Sequence, residues 1–296
     1  MKILITGAKG QLGKQITNII KKGYSELGSI SSIYKKAEII GVGVEELDIC
    51  YNKSVNDYIG RLTPDIIINC AGYTNVDLCE SNEDIAFKVN SIGSRNLAIA
   101  CENIGAKLIH ISTDYVFSGE KAMPYKEYDL MNPQNVYGKS KALGEQYIRE
   151  ICSRYFIIRT AWLYGYEGNN FVKTIMKLAA NNDEIKVVDD QIGNPTNAED
   201  LAHHILKLAL TEEYGIYNCT GEEECTWYDF ACKIVEYAGI NCIIKPCTTE
   251  EFLRPAKRPH YSSLDNMMLR CTVGNEMRTW EYALKTFIEN IILDVD

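Results

Sequence analysis

Short, almost continuously apolar runs alternate with longer stretches in which apolar residues recur every three or four positions, and this rhythm governs the first half of the chain. "KILITG" (2–7), "AEIIGVG" (37–43), "DIIINCAG" (65–72), "AKLIHIS" (106–112) and "YFIIRT" (155–160) have the length and composition of buried strands. "QLGKQITNIIKKG" (11–23) and "AFKVNSIGSRNLAIACENIG" (86–105) carry the helical spacing instead. A βαβα order favours a parallel sheet with helices on both faces, and strands apolar on both sides suit its centre. The predicted fold is α/β, a doubly wound parallel sheet. "ISSIYKKA" (30–37) lengthens the first crossover, and its pattern does not separate helix from loop.

After residue 160 the rhythm shortens to mixed elements such as "NNFVKTIMKLAA", "AEDLAHHILKLAL" and "GIYNCTG", with no low-complexity linker. This predicts a dinucleotide-type domain over 1–160, a return of the chain to its sheet around 197–220, and a smaller C-terminal α/β substrate domain over most of 161–296. No apolar run reaches the ~20 residues that a bilayer span needs, so no membrane segment is expected.

Composition narrows the partners. A formal net charge of -9 and a pI near 5.1 argue against non-specific nucleic-acid binding, so an anionic ligand needs a locally prepared site. The eleven cysteines are odd in number and lack a CxxC pair. With no cationic, apolar leader ahead of the first strand, they read as reduced core thiols of a cytoplasmic protein. The four histidines show no metal-ligand spacing, and no metal is expected.

The prepared site is "TGAKGQLG", with Gly7, Gly10 and Gly13 directly after the first strand and at the opening of an amphipathic helix. Glycines let the chain turn tightly and let backbone amides approach a pyrophosphate, while the helix N-terminus offers partial positive charge. A Rossmann-type, dinucleotide-binding fold follows. An acid ending the second strand would bind ribose and favour NADH; here the strand ends in "IIGVGVEE", with Glu45 and Glu46 arriving late. The pattern leans towards NADPH and leaves NADH open.

"NVYGKSKALGE" places Tyr137 and Lys141 one helical turn apart on one face. A phenol with an ordinary pKa of about 10 needs a neighbouring cation to exchange protons near neutrality, and this lysine can supply it. Thr113 stands at the C-terminal end of the preceding strand, where α/β sheets bind ligands. Thr113, Tyr137 and Lys141 are the candidate catalytic residues.

The loop "TGAKGQLG", "NCAGYTNVD", "STDYVF" and "YGKSK" resemble the extended short-chain dehydrogenase/reductases. More narrowly, "GQLG", "STDYVFSG", "YGKSKALGE", "RTAWLYGYEGNNFV", "VVDDQIGNPTNAEDLA" and "RPAKRPHYSSLDN" are similar, nearly end to end, to the dTDP-4-dehydrorhamnose reductase family. The resemblance implies hydride delivery to the C4 ketone of a nucleotide-linked 4-keto-6-deoxy sugar while Tyr137 protonates the alkoxide. It implies Lys141 on the cofactor ribose and Thr113 on the ketone or phenol. It also implies Gly10, Gln11 and Leu12 on the pyrophosphate, Asp48 and Ile49 near adenine, and Ala71, Gly72 and Tyr73 along the nicotinamide half. Asp114 and Trp162 would face the substrate, and Arg258 its diphosphate.

Plainer roles stand beside these: Asp48 as the cap of a helix starting near Tyr51, Trp162 as core, Arg258 as solvated charge. Some family members bind Mg2+ at a dimer interface through a glutamate where this chain has Gln15, which speaks against metal-assisted dimerisation and leaves monomer and homodimer open. Thr113-Asp114-Tyr115 lacks the glutamate of the dehydratases' Thr-Asp-Glu run, so dehydration is disfavoured. The competing readings are a reductase or epimerase of another nucleotide sugar, or a non-catalytic NADP-binding subunit similar to the regulatory subunit of methionine adenosyltransferase.

Overall fold

In the first strand, β1 (Lys2–Thr6), Ile3 and Ile5 point to one side and Leu4 to the other, and all three are fully buried. The same two-sided burial recurs in β3 (Ile66–Asn69) and β5 (Tyr155–Thr160), as a central parallel sheet requires. The computed structural model describes residues 1–293. Its main sheet has six strands, completed by β2 (Glu38–Val42), β4 (Lys107–Thr113) and β7 (Gly215–Asn218), in the order β7-β5-β4-β3-β1-β2. Every neighbouring pair is parallel.

Helices α1 (Gln11–Lys22) and α6 (Ala198–Ala209) close one face, where Leu12, Ile16, Ile19, Leu201 and Ile205 pack on the sheet. The other face is closed by α2 (Asn52–Leu62), α3 (Ser94–Ile104) and α4 (Val136–Ile151), through Val55, Ile59, Leu97, Cys101 and Ile148. Burying each such side chain contributes roughly 1.5–3 kcal/mol. The chain runs from β1 outward to β2 and then back past β1 to β3, so the strand order reverses beside β1. Ligands of doubly wound sheets bind at such a reversal.

A third core is aromatic. It gathers α5 (Phe171–Ala179), α7 (Trp227–Tyr237), α8 (Trp280–Leu293) and the parallel pair β6 (Glu184–Val188) and β8 (Ile243–Cys247) around Tyr164, Phe230, Trp280 and Phe287. Tyr164 and Phe287 meet edge to face at 5.1 Å. This is a favoured aromatic geometry.

Two local features differ from the sequence pattern. The long helix expected over 86–105 is interrupted: a helical turn at Glu83–Phe87 passes through a π-helical stretch, Lys88–Gly93, into α3. Gly93 lies so close to Ile49 that an added Cβ would be 2.6 Å from its Cδ1, and Asn90 is turned aside to bond the backbone of Tyr73. The undetermined stretch 30–37 contains a 3-10 helix, Ser32–Lys36, anchored by buried Tyr34, whose hydroxyl donates to Leu206 O at 2.5 Å. All eleven cysteines are free thiols. Among the described residues no helix is long and apolar enough to cross a membrane.

Candidate active site

A cleft of about 850 Å³ opens at the C-terminal ends of the sheet strands, over the reversal beside β1. Gly7 ends β1 with φ +64, a left-handed conformation that favours glycine, and a Cβ there would sit 2.6 Å from the Ala71 nitrogen. At Gly13, inside the first turn of α1, a Cβ would sit 2.6 Å from Gly7 O. Helix and loop therefore touch backbone to backbone, and Gly7, Gly10, Gln11 and Leu12 line the cleft while Gly13 lies buried behind them. The N-cap of α1 is Gly10, which brings no side chain to the first N–H groups of the helix. Such an end suits an anion.

Ala71, Gly72 and Tyr73 follow β3 along the next wall. Asn90 clamps them from the π-helical stretch: its Oδ1 accepts from Tyr73 N at 2.8 Å, and its Nδ2 donates to Tyr73 O at 3.1 Å and to Ser140 Oγ at 2.9 Å. A π-bulge at a functional wall is a recurrent device. Asp48 and buried Ile49 line the far end. The carboxylate of Asp48 accepts from Cys50 N at 2.9 Å, while α2 is N-capped by Tyr51 without a side-chain bond, so Asp48 does not cap that helix. Lys9, from the glycine loop, meets Glu45 at 2.9 Å and Glu46 at 3.2 Å past the end of β2. This cation at the cleft was overlooked in the sequence, although its place between two loop glycines was a signal.

Thr113 is the last residue of β4, and Tyr137 and Lys141 occupy the first turns of α4; all three line the cleft. Asn135 caps α4 by accepting from Gly138 N at 2.8 Å. Gly138 lets α4 reach the strand-end loop, since a Cβ there would lie 2.1 Å from Tyr115 O. Below, the buried Glu145 carboxylate takes Arg159 Nη2 at 2.7 Å and the Ser112 hydroxyl at 2.5 Å, tying α4 to β4 and β5. Removing one partner of such a pair would leave an uncompensated buried charge.

Burial raises the Tyr137 phenol well above its ordinary value, and the nearby Thr113 hydroxyl opposes that only in part. Burial likewise lowers the Lys141 amine to about 8, against the pull of Glu145. The amine donates to Ile111 O and faces His110 Nε2 at 3.3 Å. Its bonds go to β4, so the lowered phenol expected from the i, i+4 spacing is not what this arrangement produces: desolvation outweighs it.

Asp114 is 3 % exposed; its Oδ1 accepts from Thr113 at 2.8 Å, and its Oδ2 has no hydrogen-bond partner among the described residues. Burial pushes this carboxyl up to about 6. Trp162, at φ +46, stacks on Trp227 with centroids 3.6 Å apart and lies against Gly193, and both indoles line the cleft as well as flanking the aromatic core. Trp227 was missed in the sequence, because nothing in "CTWYDF" connects it with a site 65 positions upstream. Arg258 is not among the residues lining the cleft: its guanidinium is held by Asp77 at 3.0 Å and Ala256 O at 3.1 Å. Gln15 is buried and donates to Glu199. Among the described residues no group of three or more histidine, cysteine, aspartate or glutamate side chains is placed to hold a metal ion.

The family model described as RmlD substrate binding domain matches residues 1–292. The spore coat polysaccharide biosynthesis protein SpsK of Bacillus subtilis (strain 168) is 40% identical over 289 residues, 97% of each chain. A solved dTDP-4-dehydrorhamnose reductase from Clostridium acetobutylicum ATCC 824 superposes with a TM-score of 0.93 at 47% identity, covering 99% of this chain and 100% of that one. The enzyme of that name from Bacillus anthracis str. Ames, solved in complex with NADP, gives 0.91 at 42% identity, covering 98% and 99%.

Proposed function

The chain belongs to the dTDP-4-dehydrorhamnose reductase family, and from that premise we propose that it is an NADPH-dependent reductase of the C4 ketone of a nucleotide-linked 4-keto-6-deoxy sugar. The proposed substrate is dTDP-4-dehydrorhamnose, reduced to dTDP-rhamnose for surface polysaccharide synthesis. One observation carries the reading: a strand-end hydroxyl, a phenol and a lysine converge on one wall of the cleft that the glycine loop opens.

The residues present fit a dinucleotide, because the loop glycines leave backbone where any Cβ would collide and α1 starts without a side-chain cap. Gly10, Gln11 and Leu12 would hold the pyrophosphate, Asp48 and Ile49 the adenosine end, and Ala71, Gly72 and Tyr73 the nicotinamide half. Lys9, on exchanging Glu45 and Glu46 for a 2′-phosphate, would favour NADPH over NADH. When bound, NADPH supplies the hydride.

Tyr137 gives its phenolic proton to the alkoxide oxygen that forms at C4. Its raised pKa keeps it protonated before turnover, the state a proton donor needs. Thr113, beside the phenol on the cleft wall, would hold the ketone oxygen within reach of it. Lys141 would orient the ribose, and Asp114 with the Trp162–Trp227 stack would take the sugar. The polysaccharide assignment draws on the name of SpsK.

The test follows NADPH and then NADH absorbance with enzymatically prepared dTDP-4-dehydrorhamnose. Turnover, faster with NADPH, is the expected result. No turnover despite NADPH binding would sink this substrate and direct the search to other keto-sugars or to a partner enzyme that the chain regulates.

A further inference from the structure

His110 is fully buried beside the catalytic lysine, yet nothing in the proposed reaction uses it. It stands on β4 directly across from Asn69 of β3. The orientation of Asn69 follows from its neighbours: Oδ1 accepts from Ala71 N at 3.2 Å and from the Thr6 hydroxyl at 2.7 Å. A backbone N–H can only donate, so the amide oxygen must face Ala71 and the NH2 must face His110. That NH2 lies 3.0 Å from His110 Nδ1, which therefore accepts.

A neutral imidazole with an accepting Nδ1 carries its proton on Nε2. Nε2 is the atom 3.3 Å from Lys141 Nζ. An ammonium has no lone pair to receive that proton, whereas an uncharged amine can accept it and still donate to Ile111 O.

We propose that His110 is a positioning residue whose tautomer, locked by Asn69 with the proton on Nε2, donates to the Lys141 amine and holds it uncharged until cofactor binding draws the amine and a proton towards the cleft. This rests on the cofactor reading given above. The other groups around the amine do not reverse it. Glu145, one turn along α4, favours the ammonium but is already paired with Arg159 and Ser112. Cys70, at the end of β3, is held as a thiol at about 12, and the raised Tyr137 phenol is uncharged. Burial disfavours charge on both His110 and Lys141.

Two measurements test this without any sugar. In protein labelled with 15N-histidine, long-range proton–nitrogen correlation reads each ring's tautomer, with His110 assigned by its loss in His110→Gln or, if that variant does not fold, by elimination among the four histidines. A proton on Nε2 that does not titrate between about pH 5 and 8 is expected; a proton on Nδ1 overturns the proposal. The second adds NADPH to weakly buffered protein at about pH 8.5 and follows a pH indicator. The wild type should take up more than about half a proton per site. Asn69→Asp, whose carboxylate would claim the Nδ1 proton and leave Nε2 to accept from an ammonium, should take up much less. No uptake by wild type that binds NADPH also overturns the proposal. A failed sugar assay leaves both readouts intact, and a wrong tautomer leaves the reductase reading untouched.

Discussion

The two ends of the cleft are built differently. Around Gly7, Gly10 and Gly13 the wall is backbone, and its shape comes from side chains that are missing. Around Thr113, Tyr137 and Lys141 the wall is a packed set of titratable side chains whose ordinary proton affinities are displaced by burial. The backbone N–H groups of the first end do not titrate. The second can exchange protons, and desolvation sets the states of its groups. A steric change should therefore break the first end, and a change of a single polar atom the second.

The largest effect is expected for Tyr137→Phe, which removes only the phenolic oxygen. kcat with dTDP-4-dehydrorhamnose should fall about 10²-fold or more, the scale of a lost general acid, with NADPH affinity nearly unchanged. Steady-state kinetics and a fluorescence titration separate the two; an equal loss in both would remove the distinction between the ends.

Asp114→Asn comes next and reads pH. The native carboxyl is held up at about 6, while the unfolded chain releases its proton near 3.9. Below about pH 4 both states are protonated and burial of the acid carries no penalty. As pH rises through about 6 the native state must bury a charge or keep a proton that the unfolded state has lost, so stability declines. The variant lacks this titration, and its stability relative to wild type should improve by on the order of 2–3 kcal/mol between pH 4 and 7. Urea unfolding across that range checks it, and a difference independent of pH would refute the burial argument.

Gly13→Ala tests the backbone end. Its Cβ would press on Gly7 O at 2.6 Å and Ala8 Cα at 2.7 Å, so helix and loop must part. NADPH affinity should drop about ten-fold or more, with a stability loss of roughly 1–3 kcal/mol. The smallest effect is expected for Trp227→Leu, which removes the stack on Trp162. An aromatic pair is worth about 0.5–1.5 kcal/mol, so KM for the sugar should rise roughly 2–12-fold while the NADPH Kd stays put. A change in NADPH Kd instead would mean that the stack belongs to the cofactor end.

Legibility in the sequence followed the same division. The strands announced themselves because both faces of a parallel sheet are buried, and "TGAKGQLG" because a tight turn between strand and helix tolerates few residues. Tyr137 and Lys141 were visible as a local pair, since a helix fixes neighbours one turn apart. What that spacing could not reveal was where the amine points. The i, i+4 pattern brings the two residues to one face, but β4 supplies a carbonyl and an imidazole that claim the amine first. Nor could the sequence reveal that the Arg258 guanidinium pairs with Asp77, 181 positions upstream, because a guanidinium carries no record of its partner.

By itself, then, the order of residues determined the α/β class, the glycine loop at the first crossover and the tyrosine–lysine pair, each resting on contacts within a few positions of the chain. The tertiary structure alone decided that Trp227 stacks on Trp162, that the Asn90 side chain clamps Tyr73 from the π-helical stretch, and that Asn69 sets the tautomer His110 shows to Lys141. These are contacts between strands and helices far apart in sequence. Their energies depend on burial and on which donor meets which acceptor, and both exist only once the chain has closed on itself.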